Sequence, residues 1–273
     1  MRFGGIRLGV VGVGLGAVAA GWGIFVEPSL LRLREASVAV AGWPGAPLRV
    51  ALVSDLHAGA PFSDVAKMRR VAALVAAQHP DLVLLLGDYC ITGIPGGTPL
   101  PVAEWAPAFG AIPAPLGVFG VLGNHDWWDD AGGIRTGLEA GGVGVIENAA
   151  VPLRSGEDTF WLAGVGDVFT GHDRADTALE AVPHGAKVLA MSHGPAVIHA
   201  LGGRASLVVA GHTHGGQVYL PIFTEAVLNL QWRRGLYEAG GVPLYVTSGV
   251  GNSVLPIRFG VPPEVVLLTV QPG

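Results

Sequence analysis

Length, composition and charge bound what this chain can be. Its 273 residues allow one large domain or two small ones, and a hydrophobic fraction of 50% is ample for a sizeable core. The net charge of −5, with 16 Lys plus Arg spread along the chain and no basic stripe, excludes nucleic acid as an expected partner. The single cysteine, Cys90, excludes an internal disulfide but leaves the redox compartment open.

The first distinctive segment is a run of 19 uncharged residues, 8–26. A helix of that length spans a hydrocarbon core of about 30 Å, so we expect a membrane anchor within residues 1–27. A cleaved signal peptide is the alternative, because Arg2 and Arg7 precede the run and residues 17–19 resemble a cleavage site. Arginines on both sides of the run leave its orientation open.

The same segment also imitates a dinucleotide-binding fingerprint through Gly12, Gly14 and Ala17. Such a fingerprint opens an amphipathic helix, whereas the residues after Gly14 show no polar helical face. A nicotinamide-dependent oxidoreductase would therefore rest on these three residues alone.

The rest of the chain divides into a connecting segment, 28–44, and one catalytic domain, 45–273. No linker of Ser, Pro or charge repeats splits that domain. Its first apolar run, 48–53, is typical of a buried strand, and a second one, 81–86, follows a candidate helix. This β-α-β order predicts a parallel sheet with ligands outside the carboxyl ends of its strands.

The helix between these two strands has a capped start and an apolar face. Ser63 is the expected N-cap, and the helix is expected to continue to about Gln78, before Pro80. Apolar side chains recur at helical spacing, so we expect Lys67 and Arg69 to lie largely off the buried face.

Further strands and a second helix follow from the same patterns. A helix is expected at 130–140. Strands are expected at 117–122, 143–146, 160–165, 187–191, 205–210, 217–220, 244–246 and 265–270. We therefore expect an α/β fold, a four-layer αββα sandwich of two sheets with helices outside, preceded by an N-terminal transmembrane or signal-anchor helix.

Short polar clusters directly follow the apolar runs. They contain Asp55 and His57, then Asp88, then Asn124, His125 and Asp126, then His193, and finally His212 and His214. Carboxylates and imidazoles delivered to one sheet edge suit two divalent metal ions, with a preference for Mn, Zn or Fe over Mg or Ca. Asp88 is the best candidate to bridge the two metals, because it lies centrally in the series.

This ordered set resembles the calcineurin-like metallophosphoesterase superfamily, whose sandwich fold it implies. The motifs are Asp55-x-His57, Gly87-Asp88, Gly123-Asn124-His125-Asp126, His193 and Gly211-His212-x-His214. In addition, Glu27-Pro28 and the segment from Pro256 to Glu264 resemble the branch whose catalytic domain follows an N-terminal membrane or export segment.

The resemblance implies a role for each matching residue. One metal would be held by Asp55, His57, Asp88 and His214, and the second by Asp88, Asn124, His193 and His212. His125 would approach the substrate, stabilise charge and protonate the leaving oxygen, while Asp126 orients the His125 ring.

Several neighbouring residues have structural interpretations instead. Ile91 stands where many family members carry an acidic or amide residue, a departure that bears on local hydrogen bonding rather than on the ligands. Cys90 is expected to be a small packed residue. The histidines without a strand-end setting, which we do not expect to bind metal, are His79, His172, His184 and His199.

Two features each keep two interpretations. Trp127 and Trp128 either wall a substrate pocket or lipid interface, or pack in the core. Arg258 either binds a phosphate oxygen or forms a structural salt bridge.

The sequence thus predicts a binuclear metal-dependent phosphoesterase in which a metal-bound hydroxide attacks phosphorus and His125 assists departure of the leaving group. The expected partners are the membrane and a phosphorylated small molecule or lipid: a phosphate mono- or diester, a phospholipid-like ester or a lipid-linked pyrophosphate. We expect a single-pass cell-membrane protein with an extracytoplasmic catalytic domain; export after signal cleavage and a cytoplasmic domain are alternatives. A catalytically silent membrane-bound interaction protein of the same fold is the alternative function.

Overall fold

The computed structural model describes residues 16–91, 93–220, 224 and 230–273, which form two six-stranded sheets with helices. The strands are β1 Arg32–Val40, β2 Leu48–Val53, β3 Leu82–Leu85, β4 Val118–Gly120, β5 Gly144–Val145, β6 Ala149–Ser155, β7 Asp158–Gly164, β8 Val188–Met191, β9 Leu207–Ala210, β10 Gly235–Ala239, β11 Val242–Val246 and β12 Glu264–Pro272. The α-helices are α1 Val65–Ala76, α2 Ala106–Gly110, α3 Asn124–Trp128, α4 Ala131–Ala140, α5 Ala175–Ala178 and α6 Val197–Ala200. The predicted α/β class is confirmed.

Parallel strands form the centre of each sheet. The first sheet has the order β1-β12-β2-β3-β4-β5, and β2 through β5 pair in parallel. The second has the order β10-β11-β9-β8-β7-β6, in which β11, β9, β8 and β7 are parallel. The carboxyl ends of neighbouring parallel strands therefore meet at one edge of each sheet.

Three apolar clusters fix the order of the layers. Between the sheets, Leu52 and Leu84 of the first pack with Leu162 and Leu189 of the second. The outer face of the first sheet packs against α1, α2 and α4, and the outer face of the second packs against α5 and α6. Each fully buried leucine contributes about 1.5–3 kcal/mol, so the sheet-to-sheet contact is a main source of stability.

The strands that sequence patterns miss include three of the four sheet edges: β1, β6 and β10. Their side chains are mostly exposed or half-buried, so they lack the continuous apolar run that marks a central strand. Strand β1 lies inside the expected connecting segment 28–44 and pairs along its whole length with β12. The predicted strand at 217–220 is wrong, since Val218 makes an isolated bridge to Phe259.

Helix α1 begins one residue later than the predicted cap implies. The Asp64 carboxylate accepts a hydrogen bond from the Lys67 backbone N–H at 2.7 Å, so Asp64 is the N-cap. Ser63 is instead a fully buried residue of the preceding turn. The prediction of Ser63 as the cap is therefore wrong, because two adjacent residues of equal capping propensity cannot be separated by sequence pattern.

The predicted membrane segment is described only in its second half, since residues 1–15 lie outside the described residues. The chain is helical over residues 16–29. In the part of the chain that the structure describes, we find no helix with the length and apolar character needed to cross a membrane. The end of the segment is joined to the domain: Val261 N–H donates to the Glu27 carboxylate at 2.7 Å, and Arg258 N–H donates to the Gly23 carbonyl at 2.9 Å.

Lys67 also takes part in this junction. The prediction that it lies largely off the buried face of α1 is wrong. Its side chain is 1% exposed, and Nζ donates to the carbonyls of Pro28 at 3.1 Å and Val250 at 3.0 Å. Burial, followed by repulsion from Arg258 and Arg70, lowers the pKa of Lys67 from its ordinary 10.5 to about 7. Partners distant in sequence thus override the amphipathic pattern.

The depressed pKa of Lys67 predicts a specific pH dependence of stability. Between about pH 7 and pH 10.5 the unfolded chain keeps a proton that the folded chain releases, so the free energy of unfolding rises with pH. The contribution is up to about 1.4 kcal/mol per pH unit. We expect the wild type to gain stability relative to Lys67→Met from pH 7 to 9 in urea unfolding, whereas parallel profiles would contradict this assignment.

Candidate metal centre

The sequence-predicted ligands come from both sheets and meet at one edge. Asp55 and His57 follow β2, Asp88 follows β3, and Asn124 begins α3 beyond β4; His193 follows β8, and His212 and His214 follow β9. The relevant strands pair in parallel within each sheet. All seven predicted ligands and His125 are therefore delivered to the same region by the sheet topology.

The Asp and His side chains form three interlocking groups. In each group the potential ligand atoms lie within 4.8 Å of one another: Asp55, His57 and His214; His57, Asp88 and His125; Asp88, His193 and His212. His57 belongs to the first and second groups, and Asp88 to the second and third. Asp88 thus lies at the centre of the arrangement, as its position in the sequence indicates.

Short distances connect the two sides of the centre through Asp88. Its Oδ2 lies 3.2 Å from His193 Nε2 and 3.7 Å from His57 Nε2. On one side, His214 Nε2 lies 3.3 Å from Asp55 Oδ1. On the other side, Asn124 Oδ1 lies 3.1 Å from His193 Nε2, so the predicted amide ligand is also at the centre.

The main chain is strained where it presents these side chains. Five of the seven predicted ligands have a left-handed backbone conformation: Asp55 (φ 54°), His57 (φ 41°), Asp88 (φ 55°), His212 (φ 70°) and His214 (φ 50°). Non-glycine residues are uncommon there, and each costs about 1–3 kcal/mol. Such a concentration of strain at one sheet edge is typical of a functional site.

Backbone carbonyls orient two of the imidazoles. His57 Nδ1 donates to the Cys90 carbonyl at 3.3 Å, and His193 Nδ1 donates to the Leu86 carbonyl at 2.7 Å. Because a carbonyl can only accept, Nδ1 carries the proton and Nε2 of each ring faces Asp88. Cys90 therefore serves the site through its carbonyl group.

Burial keeps most of the imidazoles in the neutral form that binds metals. It lowers the pKa of His57 and of His212 to about 4, and the pKa of His214 falls well below its ordinary value. His193 is the exception. Burial opposes its protonation, but the nearby Asp88 carboxylate raises its pKa to about 10.

The pKa values of the three carboxyl groups are shifted in different directions. Burial raises the pKa of Asp55 to about 6 and, together with the charge of Asp88, raises that of Asp126 to about 7. Burial also disfavours ionisation of Asp88, but His193 and His57 outweigh it and lower the Asp88 pKa. Asp88 is accordingly the carboxylate with the strongest preference for the charged state among these three.

Asp126 connects two of the loops that carry the ligands. Its carboxylate accepts hydrogen bonds from the backbone N–H groups of Asp88, Tyr89 and Gly123 at 2.8–2.9 Å, and from Cys90 at 3.3 Å. These bonds fix the loop after β3 to the start of α3. The ring-orienting role implied for Asp126 stays a prediction, and the structure adds this main-chain role to it.

Arg258 supports His214 from behind. The side chain is fully buried, and it donates to the carbonyls of Ser248, Gly249, Gly251 and Val261. Its Nη2 also lies 3.3 Å from His214 Nδ1. The arginine thus holds the loop between β11 and β12 against His214 through main-chain carbonyls, which neither interpretation drawn from the sequence anticipates.

Sequence reasoning misses Asp167 beside this centre. Asp167 is fully buried, its Oδ2 accepts from Thr170, and its Oδ1 is without a hydrogen-bond partner among the described residues. Gly166-Asp167 follows β7 just as Gly87-Asp88 follows β3, and that repeated strand-end pattern is the signal that could have found it.

The two tryptophans after Asp126 have different environments, and the histidines without a strand-end setting lie away from the centre or pack against Trp127. Trp127 stacks on His172, with ring centroids 3.6 Å apart, whereas Trp128 is 56% exposed and its ring centroid lies 5.1 Å from that of His125. His79, His184 and His199 belong to none of the metal-compatible groups among the described residues.

The donor set fits divalent cations. Asp55 Oδ1 is buried without a hydrogen-bond partner in the described part of the chain, which leaves a carboxylate oxygen available inside the first group. Mixed carboxylate, imidazole and amide donors suit Mn, Fe or Zn. The chain therefore carries a candidate metal centre built from these donors.

Comparisons with known proteins identify the family of this chain. The family model for calcineurin-like phosphoesterases matches residues 48–216. Among curated relatives, Phosphodiesterase YaeI of Escherichia coli is 29% identical, with 92% of this chain and 93% of that protein covered. The transmembrane protein with metallophosphoesterase domain of Danio rerio is 30% identical, over 78% of this chain and 50% of that protein.

Among solved structures, a 5'-nucleotidase precursor from Thermus thermophilus is similar in fold. Its TM-score is 0.50 at 15% sequence identity, with 82% of this chain and 55% of that chain covered. The family match spans most of the catalytic region and contains every predicted ligand. This chain belongs to the calcineurin-like phosphoesterase family and is a metallophosphoesterase, a hydrolase of phosphate esters.

Proposed function

We propose that the centre binds two divalent cations that share Asp88. One cation would be held by Asp55, His57, Asp88 and His214, and the other by Asp88, Asn124, His193 and His212. The observation that carries this proposal is the interlocking of the Asp and His groups through Asp88. When bound, the cations would supply Lewis-acid activation of water and of the phosphoryl oxygens. Mn, Zn or Fe is the preferred identity, given the imidazole donors.

His125 is the residue we assign to proton transfer. Its backbone N–H donates to Asp88 Oδ1 at 2.9 Å, and its ring lies within the group formed with His57 and Asp88. The side chain is half-buried, so it can meet both the centre and a bound ester. Burial lowers the pKa of His125, and Asp88 opposes that shift. A ring N–H of His125 would protonate the leaving oxygen as the ester bond breaks.

A phosphate diester is the substrate class we favour. A relative matched over nearly its whole length is named a phosphodiesterase. A diester presents two alcohol arms, so one can leave beside His125 while the other stays bound elsewhere on the protein.

Substitutions at His125 and Asp88 separate chemistry from metal binding. His125→Ala should lower kcat on a diester with an alcohol leaving group, such as glycerophosphoethanolamine, about 10²- to 10⁴-fold while Mn²⁺ binding persists, because an alkoxide needs the proton that His125 donates. Asp88→Asn should weaken Mn²⁺ binding as well, since it removes the shared carboxylate. His184→Ala is the matched control and should change neither quantity, because His184 is exposed and away from the clusters. Undiminished activity of His125→Ala would contradict its role.

A glycine beside Asp88 offers a test that replaces none of the proposed ligand residues. A Cβ at Gly123 would lie 2.6 Å from the Asp88 backbone N and closer still to its carboxylate. Gly123→Ala should therefore displace Asp88 and weaken Mn²⁺ affinity about 10- to 100-fold by calorimetry. Gly132→Ala is the control, because a Cβ there would meet nothing closer than 3.7 Å on an exposed part of α4. Equal affinities for the two variants would contradict the account.

We propose further that the N-terminal segment tethers the protein to the cell membrane, with the catalytic domain outside the cytoplasm. The support for the tether is the uncharged run 8–26, the exposure of Val18 (71%) and Phe25 (69%) on the described helix, and the name of the Danio rerio relative.

The tether can be tested by substitution at Val18. Wild type and Val18→Leu should stay with membranes after an alkaline carbonate wash, whereas Val18→Arg should be released, since a central arginine costs about 2.5–3.5 kcal/mol. Release of the wild type would contradict the tether; protease protection of the domain in intact spheroplasts would contradict its placement.

A further inference from the structure

An apolar pocket of about 260 Å³ adjoins the candidate metal centre at His212. We propose that this pocket binds an alkyl or acyl arm of the phosphoester substrate. The inference rests on the proposed function, because it requires the phosphoryl group to lie at the metal centre. It adds to that function the chemical class of the group next to the phosphate.

The pocket walls come from four separate segments, and the apolar side chains among them come from three. Phe169 contributes from the loop after β7, Pro195 and Ala196 from the segment before α6, and Leu230 and Trp232 from the segment before β10. Phe169 is 65% exposed and Leu230 is 38% exposed. Large apolar side chains left open to solvent beside a reactive centre are typical of a site that is covered by a ligand.

Aromatic contacts make the pocket continuous with the reacting groups. The ring centroid of Phe169 lies 5.4 Å from that of His212 and 5.9 Å from that of Trp128. Trp128 in turn lies 5.1 Å from His125. An apolar wall therefore runs from the proposed proton donor to the pocket, past one side of the metal centre. An ester arm that extends from the centre along this wall reaches the pocket in contact with aromatic rings.

The polar groups of the pocket are too few to read a nucleobase. Among the described lining residues, the polar side chains are His212, Thr213 and Gln231. Thr213 Oγ1 donates to the Arg233 carbonyl, and His212 Nδ1 lies 3.0 Å from His193 Nε2. Recognition of a base edge needs several directed hydrogen bonds, whereas a hydrocarbon chain needs only apolar walls. These features favour an alkyl or acyl arm.

A series of n-alkyl p-nitrophenyl phosphates tests the pocket while the leaving group stays constant. Methyl, butyl, hexyl and octyl esters would be assayed below their micelle concentrations with the Mn²⁺-loaded full chain. We expect kcat/KM to rise by about two- to fourfold per added methylene until the pocket is filled, because each buried methylene adds to binding. If the enzyme is active but kcat/KM stays constant across the series, the claim that the pocket binds an alkyl arm is wrong, and the proposed function is unaffected. Inactivity towards every ester would overturn the proposed function instead.

A pair of alanine substitutions assigns the effect to this pocket. Ala196 directly precedes α6 and Ala200 is its last residue; both are exposed, and of the two Ala196 lines the pocket whereas Ala200 does not. Ala196→Leu should fill the pocket and flatten the dependence on chain length. Ala200→Leu should retain the wild-type dependence. An unchanged slope in Ala196→Leu would overturn the assignment even if the wild type prefers long chains.

Discussion

The centre depends on the burial of the Asp88 carboxylate between imidazoles of the two sheets. Asp88 is 2% exposed, and His193 and His57 approach its Oδ2 from opposite sheets. An unpaired buried carboxylate costs several kcal/mol, so the surrounding chain must supply charge and donors. It does so through these two rings and through the His125 backbone N–H. The packing of one sheet on the other is thereby tied to the chemistry at their shared edge.

The same requirement explains why the loops around the centre are held so firmly. Left-handed ligand residues store strain that neighbouring contacts must offset. Asp126 supplies backbone hydrogen bonds on one side, and buried Arg258 supplies them on the other. Because Arg258 N–H also bonds to Gly23, the N-terminal helix is physically connected to the loop behind His214. The proposed membrane tether and the proposed metal centre therefore share one structural junction.

Sequence reasoning succeeds here where the signal is local. A continuous apolar run followed by Asp or His, as at Asp88 and His193, marks both a central strand and its functional end, so strands and candidate ligands are found together. It fails where partners are remote. The Lys67 side chain is buried because carbonyls 39 and 183 residues away accept hydrogen bonds from its Nζ, and the apolar pocket is built from four separate segments. Edge strands such as β1 are missed since exposed side chains carry no apolar run.

Anomalous diffraction from crystals loaded with Mn²⁺ tests the central claim most directly. The account predicts two peaks about 3.5–4 Å apart with Asp88 between them. One peak should lie among Asp55, His57 and His214, and the other among Asn124, His193 and His212. A single peak, or two peaks that do not share Asp88, would contradict it.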